Sequence, residues 1–150
     1  MRLALIALLL ASCCPQWQGY DEVTGQARTF SVEKMPEGHH FAGKYWSAQV
    51  GSFEVREPSS EKFEATVTWS SGVDDGGTCT LTRALSGNSK GNLATFAWTE
   101  TLSEGCGTPR SGHGRMFYGL SEDQGRLFAT WWLGDDGDHS ENWTAFSRGE

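Results

Sequence analysis

The chain has 150 residues and a formal net charge of −7, and it contains seven tryptophans and 19 glycines. This length fits one domain of ordinary size that can bury its own hydrophobic core. The acidic balance argues against nucleic acid and against an anionic membrane surface as partners.

The first twelve residues have the pattern of an export signal. Arg2 supplies a positive charge, and the apolar run from Leu3 to Ala11 is too short to span a bilayer. The quartet that ends in Cys13 resembles a bacterial lipobox, in which the Cys is lipidated. Ordinary cleavage near this point is the alternative. The sequence therefore predicts either a periplasmic or cell-surface lipoprotein, held at the membrane by lipid alone, or a secreted protein.

Residues 13–40 are predicted to form a tether or an N-terminal arm. Pro and Gly interrupt this stretch repeatedly, and it shows no helical period. A short strand over Ala27–Val32 is the one regular element expected in it.

Residues 41–150 have the pattern of a single all-β domain. Short runs of alternating apolar and polar residues recur, separated by Gly, Asn, Asp and Ser. Because consecutive runs look like consecutive hairpins, we predict an antiparallel up-and-down β-barrel of seven or eight strands in preference to a sandwich. The predicted strands are Gly43–Val55, Lys62–Ser70, Thr78–Ala84, Asn92–Glu100, Gly114–Leu120, Arg126–Leu133 and Trp143–Ser147.

The cysteines of the domain predict a disulfide bond. Cys79 and Cys106 lie in a segment expected to be exported, where disulfides are the rule. A bridge between them stabilises a fold by about 3 kcal/mol on the loop-entropy model. No pair of cysteines has the spacing of a zinc site, and the histidines are not spaced as metal ligands.

The tryptophans allow two interpretations. Aromatic side chains on the inward face of a small barrel can simply fill the core, or they can form the rigid apolar wall of a ligand site at the barrel mouth. The tryptophans in or beside predicted strands are Trp46, Trp69, Trp98, Trp131, Trp132 and Trp143.

Several segments, taken in order, resemble the avidin/streptavidin family. Residues 46–52 read W-S-A-Q-V-G-S and are similar to the family's first strand, W-x-N-x-L-G-S. Residues 131–145 hold Trp-Trp-Leu, a polar loop and Asn-Trp-Thr-Ala, similar to the family's W-L-L, polar loop and W-K-[SA]. Residues 97–98 and 117–119 resemble its A-W and W-S-G. The resemblance implies an avidin-like barrel with a truncated last strand, a site for biotin or a similar molecule at one open end, and homo-oligomers.

The resemblance also implies polar ligand contacts. Ser52 and Ser71 match residues that bond the ureido ring of biotin, and Trp69 stands where the family has a Tyr with this role. Ala48 replaces an Asn that bonds the same ring, and Glu150 falls about one residue before another polar contact. Because a buried polar group left unpaired costs about 1–3 kcal/mol, we expect any affinity for biotin to be far below that of the family.

The aromatic contacts are implied in the same way. Trp98, Phe117 and Trp131 match the family's walls, and Trp143 matches a Trp that a neighbouring subunit inserts into the site. We expect the three wall residues to face one cavity, with the two serines at its floor, because inward residues of different strands meet only at a shared depth.

The predicted function is therefore non-catalytic binding of a small molecule, biotin or a related ring, without a cofactor or metal ion. The alternative is a periplasmic protease-inhibitor β-barrel lipoprotein, in which the arm of residues 13–40 would enter the enzyme. No arrangement of Ser, His or carboxylates supports an enzyme. The acidic loop at residues 135–141 is interpreted as a hairpin loop in preference to a Ca²⁺ site.

Overall fold

The computed structural model describes residues 16–21, 24–73, 75–134 and 142–149. Within these ranges the chain is all-β, apart from one turn of 3-10 helix at Ser121–Asp123. The strands are β1 (Gln16–Asp21), β2 (Gln26–Ser31), β3 (Gly43–Ser47), β4 (Gly51–Ser59), β5 (Lys62–Gly72), β6 (Thr78–Lys90), β7 (Leu93–Leu102), β8 (Ser111–Tyr118), β9 (Leu127–Leu133) and β10 (Asn142–Arg148).

Strands β3 to β10 form a closed antiparallel barrel. Each strand pairs with the next along the chain, and β10 also pairs with β3, which closes the sheet. The predicted antiparallel up-and-down barrel is confirmed, and it has eight strands. A barrel of this size has an interior just wide enough to be filled by side chains or to hold one small ligand.

The alternation along each strand decides which side chains reach the interior. In β5, Phe63, Ala65 and Val67 are buried in the core, whereas Glu64 and Thr66 between them are exposed. This period of two is the geometry of any strand with one face buried. It was correctly predicted for β5 from the sequence.

One end of the barrel is closed by the chain itself. Residues 32–42, between β2 and β3, run along the loops at this end. The ring of Phe41 is fully buried and lies 5.7 Å from the ring of Phe63 and 6.1 Å from that of Tyr118, centroid to centroid. Met35 packs against the same core. The opposite end, where β5, β7 and β9 finish, is therefore the one at which an entrance to the interior can lie.

Strands β1 and β2 form a hairpin on the outside of the barrel. They pair antiparallel along their whole length, and the end of β1 also pairs in parallel with the start of β10. Trp17 and Phe30 of the hairpin pack against an aromatic cluster on the outer face of the barrel wall, formed by Phe117, Phe128 and Trp143.

Several elements differ from the sequence prediction. Strand β6 continues to Lys90, six residues beyond its predicted end at Ala84. The run Gly43–Val55 is not one strand but two, because the chain turns at residues 48–50 and Gly51 adopts a φ of 85°, which favours glycine. Strand β1 was not predicted. Its covered positions hold Trp17 and Gly19, which are partly buried, and Asp21, which is fully buried, so they lack the apolar alternation from which a strand is recognised.

The predicted disulfide bond between Cys79 and Cys106 is confirmed. The two Cα atoms are 5.6 Å apart, and the bond ties the start of β6 to the loop between β7 and β8. This loop is at the end of the barrel opposite the segment of residues 32–42.

Three predictions concern residues outside the described ranges: the export signal at residues 1–12, lipidation of Cys13, and the acidic loop at residues 135–141. Among the residues that are described, no helix has the length and hydropathy needed to cross a membrane.

Candidate functional site

Three of the predicted ligand residues meet inside the barrel at the end opposite residues 32–42. Trp69, Trp98 and Trp131 come from β5, β7 and β9 and face inward. Trp98 is 2% exposed, and its Nε1 donates a hydrogen bond of 2.9 Å to the carbonyl of His113. Trp69 and Trp131 are half-buried, so each presents part of its ring toward this end of the barrel.

An arginine lies between these tryptophans. The guanidinium carbon of Arg83 is 4.2 Å from the ring centroid of Trp98, 5.0 Å from that of Trp69 and 5.3 Å from that of Trp131. All three distances are within the range of cation–π attraction, which is strongest for Trp. We call this group of four side chains the tryptophan cage.

Two arginines share one buried carboxylate beside the cage. Arg83 donates from Nε and Nη2 to Oε1 of Glu100, over 3.1 and 2.8 Å. Arg110 donates from Nε to Oε2 and from Nη2 to Oε1, both over 3.0 Å, and its backbone N–H adds a bond of 3.1 Å to Oε2. The Glu100 side chain is fully buried. The three groups together keep one positive charge.

Burial and pairing shift the pKa values of these groups. Burial lowers the pKa of Arg83, and Glu100 offsets part of that effect. Burial alone would raise the pKa of Glu100, but the hydrogen bonds and charges of Arg110 and Arg83 outweigh it and hold the pKa below its ordinary 4.5. The bond to Glu100 raises the pKa of Arg110. For Glu100 and Arg110 the shifts thus favour the charged form, and an arginine such as Arg83 stays protonated in proteins.

Phe117 and Trp143 do not join the cage, which corrects the expectation of a shared cavity. Met116 and Tyr118 belong to the core inside the barrel, so Phe117 between them faces outward. Trp143 lies beside Phe117, with ring centroids 5.6 Å apart, and Phe30 of the hairpin covers both. Since Trp143 is buried by its own chain, it is not displayed for insertion into a neighbouring subunit.

Ser52 and Ser71 do not form a floor beneath the tryptophans, which is a second correction. Ser52 is exposed on the outer face of β4, because its neighbour Phe53 is buried in the core. The turn at residues 48–50 moves Ser52 out of the first strand of the barrel. Ser71 is exposed near the end of β5, two residues beyond Trp69.

The sequence reasoning missed Arg83, Glu100 and Arg110. A signal was available for two of them. Arg83 stands two residues before the inward-facing Leu85, and Glu100 stands two residues after Trp98, so the alternation places both charges inside the barrel. Charged residues at interior positions are rare unless they are paired.

A separate groove of about 530 Å³ lies on the outer wall of β6 to β9. Trp132 and Arg115 form one side of it, and Ser86 and Asn88 form the other. The groove is not part of the cage, because these side chains alternate with those that face the interior. Among the described residues, no group of three His, Cys, Asp or Glu side chains is placed to hold a metal ion.

Comparison of the chain with protein-family models, with curated proteins and with solved structures found no match.

Proposed function

We propose that this protein is an exported, non-catalytic β-barrel that binds a small molecule at the end carrying the tryptophan cage. The observation that carries the proposal is the cage itself: a guanidinium inside the barrel, enclosed by three indole rings. Small-molecule sites in proteins typically combine apolar aromatic walls with a few fixed polar groups.

The asymmetry of the barrel supports this location. Residues 32–42 close the other end, where Phe41 is fully buried. At the cage end, Trp69 and Trp131 are only half-buried, so a flat ring can cover them further. Tryptophan contributes a large apolar surface with a defined stacking geometry.

Export is supported by two features of different kinds. The N-terminal sequence has a charged residue followed by an apolar run. The bond between Cys79 and Cys106 is of a kind that persists in oxidising compartments.

Biotin is the first ligand to test, because the sequence resembles the avidins and the barrel carries tryptophans inside one end. The ureido contacts implied for Ser52 and Ser71 lack support, since Ser52 is on the outer face of β4 and Ser71 is exposed at the end of β5, beyond Trp69. The polar groups that a ligand would meet instead belong to Arg83 and Arg110. We therefore expect biotin to bind weakly, if its ring stacks on Trp69 or Trp131.

The protease-inhibitor alternative receives less support. It requires an N-terminal arm that is free to enter an enzyme. Residues 16–21 and 26–31 instead form a hairpin whose Trp17 and Phe30 pack on the barrel wall. In the part of the chain that is described, this segment is a component of the domain.

Isothermal titration of the full chain with biotin, indole-3-acetate and benzoate tests the proposal. We expect at least one of them to bind saturably, and Trp131→Ala to weaken that binding about tenfold or more, since stacking on one ring is lost. Trp46→Ala is the matched control, because Trp46 is 55% exposed and lies on the outer face of β3. Equal losses in both variants, or no binding of any probe, would contradict the proposal.

A further inference from the structure

We infer that the ligand of this site is a small carboxylate, anchored by Arg83 and Arg110. This inference rests on the proposed function and adds the chemical class of the ligand. It is carried by the number of charges and hydrogen-bond donors at the cage.

Among the described residues, the positive charges at the cage exceed the negative ones. Glu100 is the one carboxylate that pairs with Arg83 or Arg110 in the described part of the chain. Two guanidinium groups against one carboxylate leave one positive charge, in a chain whose formal net charge is −7. The excess charge thus lies at the barrel end opposite residues 32–42.

Arg83 has a donor group that the described residues do not use. A guanidinium carries five N–H donors. Glu100 accepts from Nε and Nη2, and Nη1 makes no hydrogen bond to the described residues. The side chain is only 9% exposed. Nη1 is not among the fully buried polar atoms that lack a hydrogen-bond partner. An anion that reaches it is attracted more strongly than in open water, because the protein around it lowers the effective dielectric constant.

The tryptophans define the rest of the ligand. Three rings lie around the guanidinium, at centroid distances from 4.2 to 5.3 Å. A ligand that carries its carboxylate on a flat or ring-shaped body can therefore stack on Trp69 or Trp131 while its oxygens accept from Arg83. Arg110, which is 52% exposed, lies on the other side of Glu100 and supplies the second cation.

Matched pairs of acids and amides test the charge requirement. Calorimetric titrations would compare biotin with biotinamide and indole-3-acetate with indole-3-acetamide, on the full chain. We expect the acid of a pair to bind about tenfold tighter or more, because hydrogen bonds to an ionised acceptor are roughly twice as strong as neutral ones. The amide keeps the ring and loses only the charge.

Two arginine variants locate the effect. Arg110→Gln should bring the acid-to-amide ratio close to one while leaving binding of the amide in place. Arg110→Lys keeps the charge and should retain a preference for the acid. Arg56→Gln is the matched control, since Arg56 is exposed on the outer face of β4 and its loss changes the net charge equally. Thermal unfolding of each variant would verify that it is folded.

The outcomes separate the two proposals. Equal binding of acid and amide to the unmodified chain would overturn the inference and leave the proposed function standing. Binding of neither partner in any pair would overturn the proposed function and this inference with it. An acid preference that falls by the same factor in Arg110→Gln and in Arg56→Gln would overturn the assignment to Arg83 and Arg110.

Discussion

Arg83 is the residue that distinguishes the cage from an ordinary aromatic core. Apart from Glu100, its neighbours inside the barrel are the rings of Trp69, Trp98 and Trp131, and an apolar side chain at this position would have no charge to desolvate. A buried ion pair is often no more stabilising than apolar side chains of similar volume. The arrangement of Arg83, Glu100 and Arg110 is therefore weak evidence for stability, and we propose that it serves recognition of a ligand.

The ionisation of Glu100 should appear in the pH dependence of stability. Its pKa in the folded protein is held below the ordinary 4.5. Its contribution is therefore fully present above that value and is lost as the pH falls through the lower folded pKa. Urea unfolding between about pH 7 and about pH 3 should show a steeper loss of stability with acid for the unmodified chain than for Glu100→Gln. Parallel curves would contradict the pairing described here.

The same substitution should also be costly at neutral pH. Removing one partner of a buried ion pair typically destabilises a protein by about 3–5 kcal/mol, because the other charge stays buried. Arg110 does not compensate for the lost carboxylate, because its side chain carries a positive charge like that of Arg83.

Trp69, Trp98 and Trp131 were predicted from the sequence as ligand contacts, but the charged side chains beside them were not. Tryptophans stand out by their size and their place in alternating runs. The pairing of Arg83 with Glu100 joins β6 to β7, and Arg110 reaches Glu100 from the end of the next loop. The alternation places Arg83 and Glu100 inside the barrel, but which side chains lie opposite each other depends also on the turns that set the strand register.

Strand β8 shows how glycine shapes an element of this barrel. Gly114 faces inward, where a Cβ atom would lie 2.4 Å from the ring of Phe96 and 2.6 Å from the carbonyl oxygen of Thr130. The ring of Phe96 thus occupies the volume that a side chain on β8 would need. The absence of a side chain at this position is a packing requirement of the interior.

Gly114→Ala should therefore destabilise the barrel by about 1–3 kcal/mol, the usual range for overpacking a core. Gly72→Ala at the end of β5 is the control, because a Cβ atom there meets nothing within 4 Å. Urea unfolding of both variants measures the difference. If Gly114→Ala were as stable as Gly72→Ala, the tight contact with Phe96 would be wrong.

The elements predicted best are those with one face buried and the other exposed. Strand β5 has this pattern throughout, and its predicted range differs from the observed one only by two residues at its end. Of the hairpin of β1 and β2, only one strand was predicted, over Ala27–Val32, where β2 spans Gln26–Ser31. The hairpin packs on the barrel wall through Trp17 and Phe30. Two aromatic residues are too few to give the apolar–polar alternation from which a strand is predicted.

For the whole molecule, the regular succession of hairpins made the barrel predictable, whereas the difference between its two ends was not. That difference depends on residues 32–42, which have no periodicity and cover one end because of where β2 and β3 lie. Separation of the inner cage from the outer cluster of Phe117 and Trp143 likewise depends on strand orientation.

The disulfide bond should support both stability and the cage. Cys106 lies in the loop that leads to Arg110. Cys79 is the second residue of β6, the strand that carries Arg83. Replacing both cysteines by serine should lower stability by about 3 kcal/mol on the loop-entropy model. Thermal unfolding of this variant and of the unmodified chain measures the change. An unchanged midpoint would show that the loop is held without the bond.

The central claim, that a ligand binds inside the barrel at the tryptophan cage, is tested most directly by the indole N–H signals in a ¹⁵N NMR spectrum. The tryptophans report on different places: Trp69, Trp98 and Trp131 on the cage, Trp132 on the outer groove, Trp17 and Trp143 on the hairpin contact, and Trp46 on the exposed outer face. Titration with the tightest carboxylate probe should shift the three cage signals and leave the other four nearly unchanged. Shifts confined to Trp132, or to Trp17 and Trp143, would contradict the claim and place the ligand on the outside of the barrel.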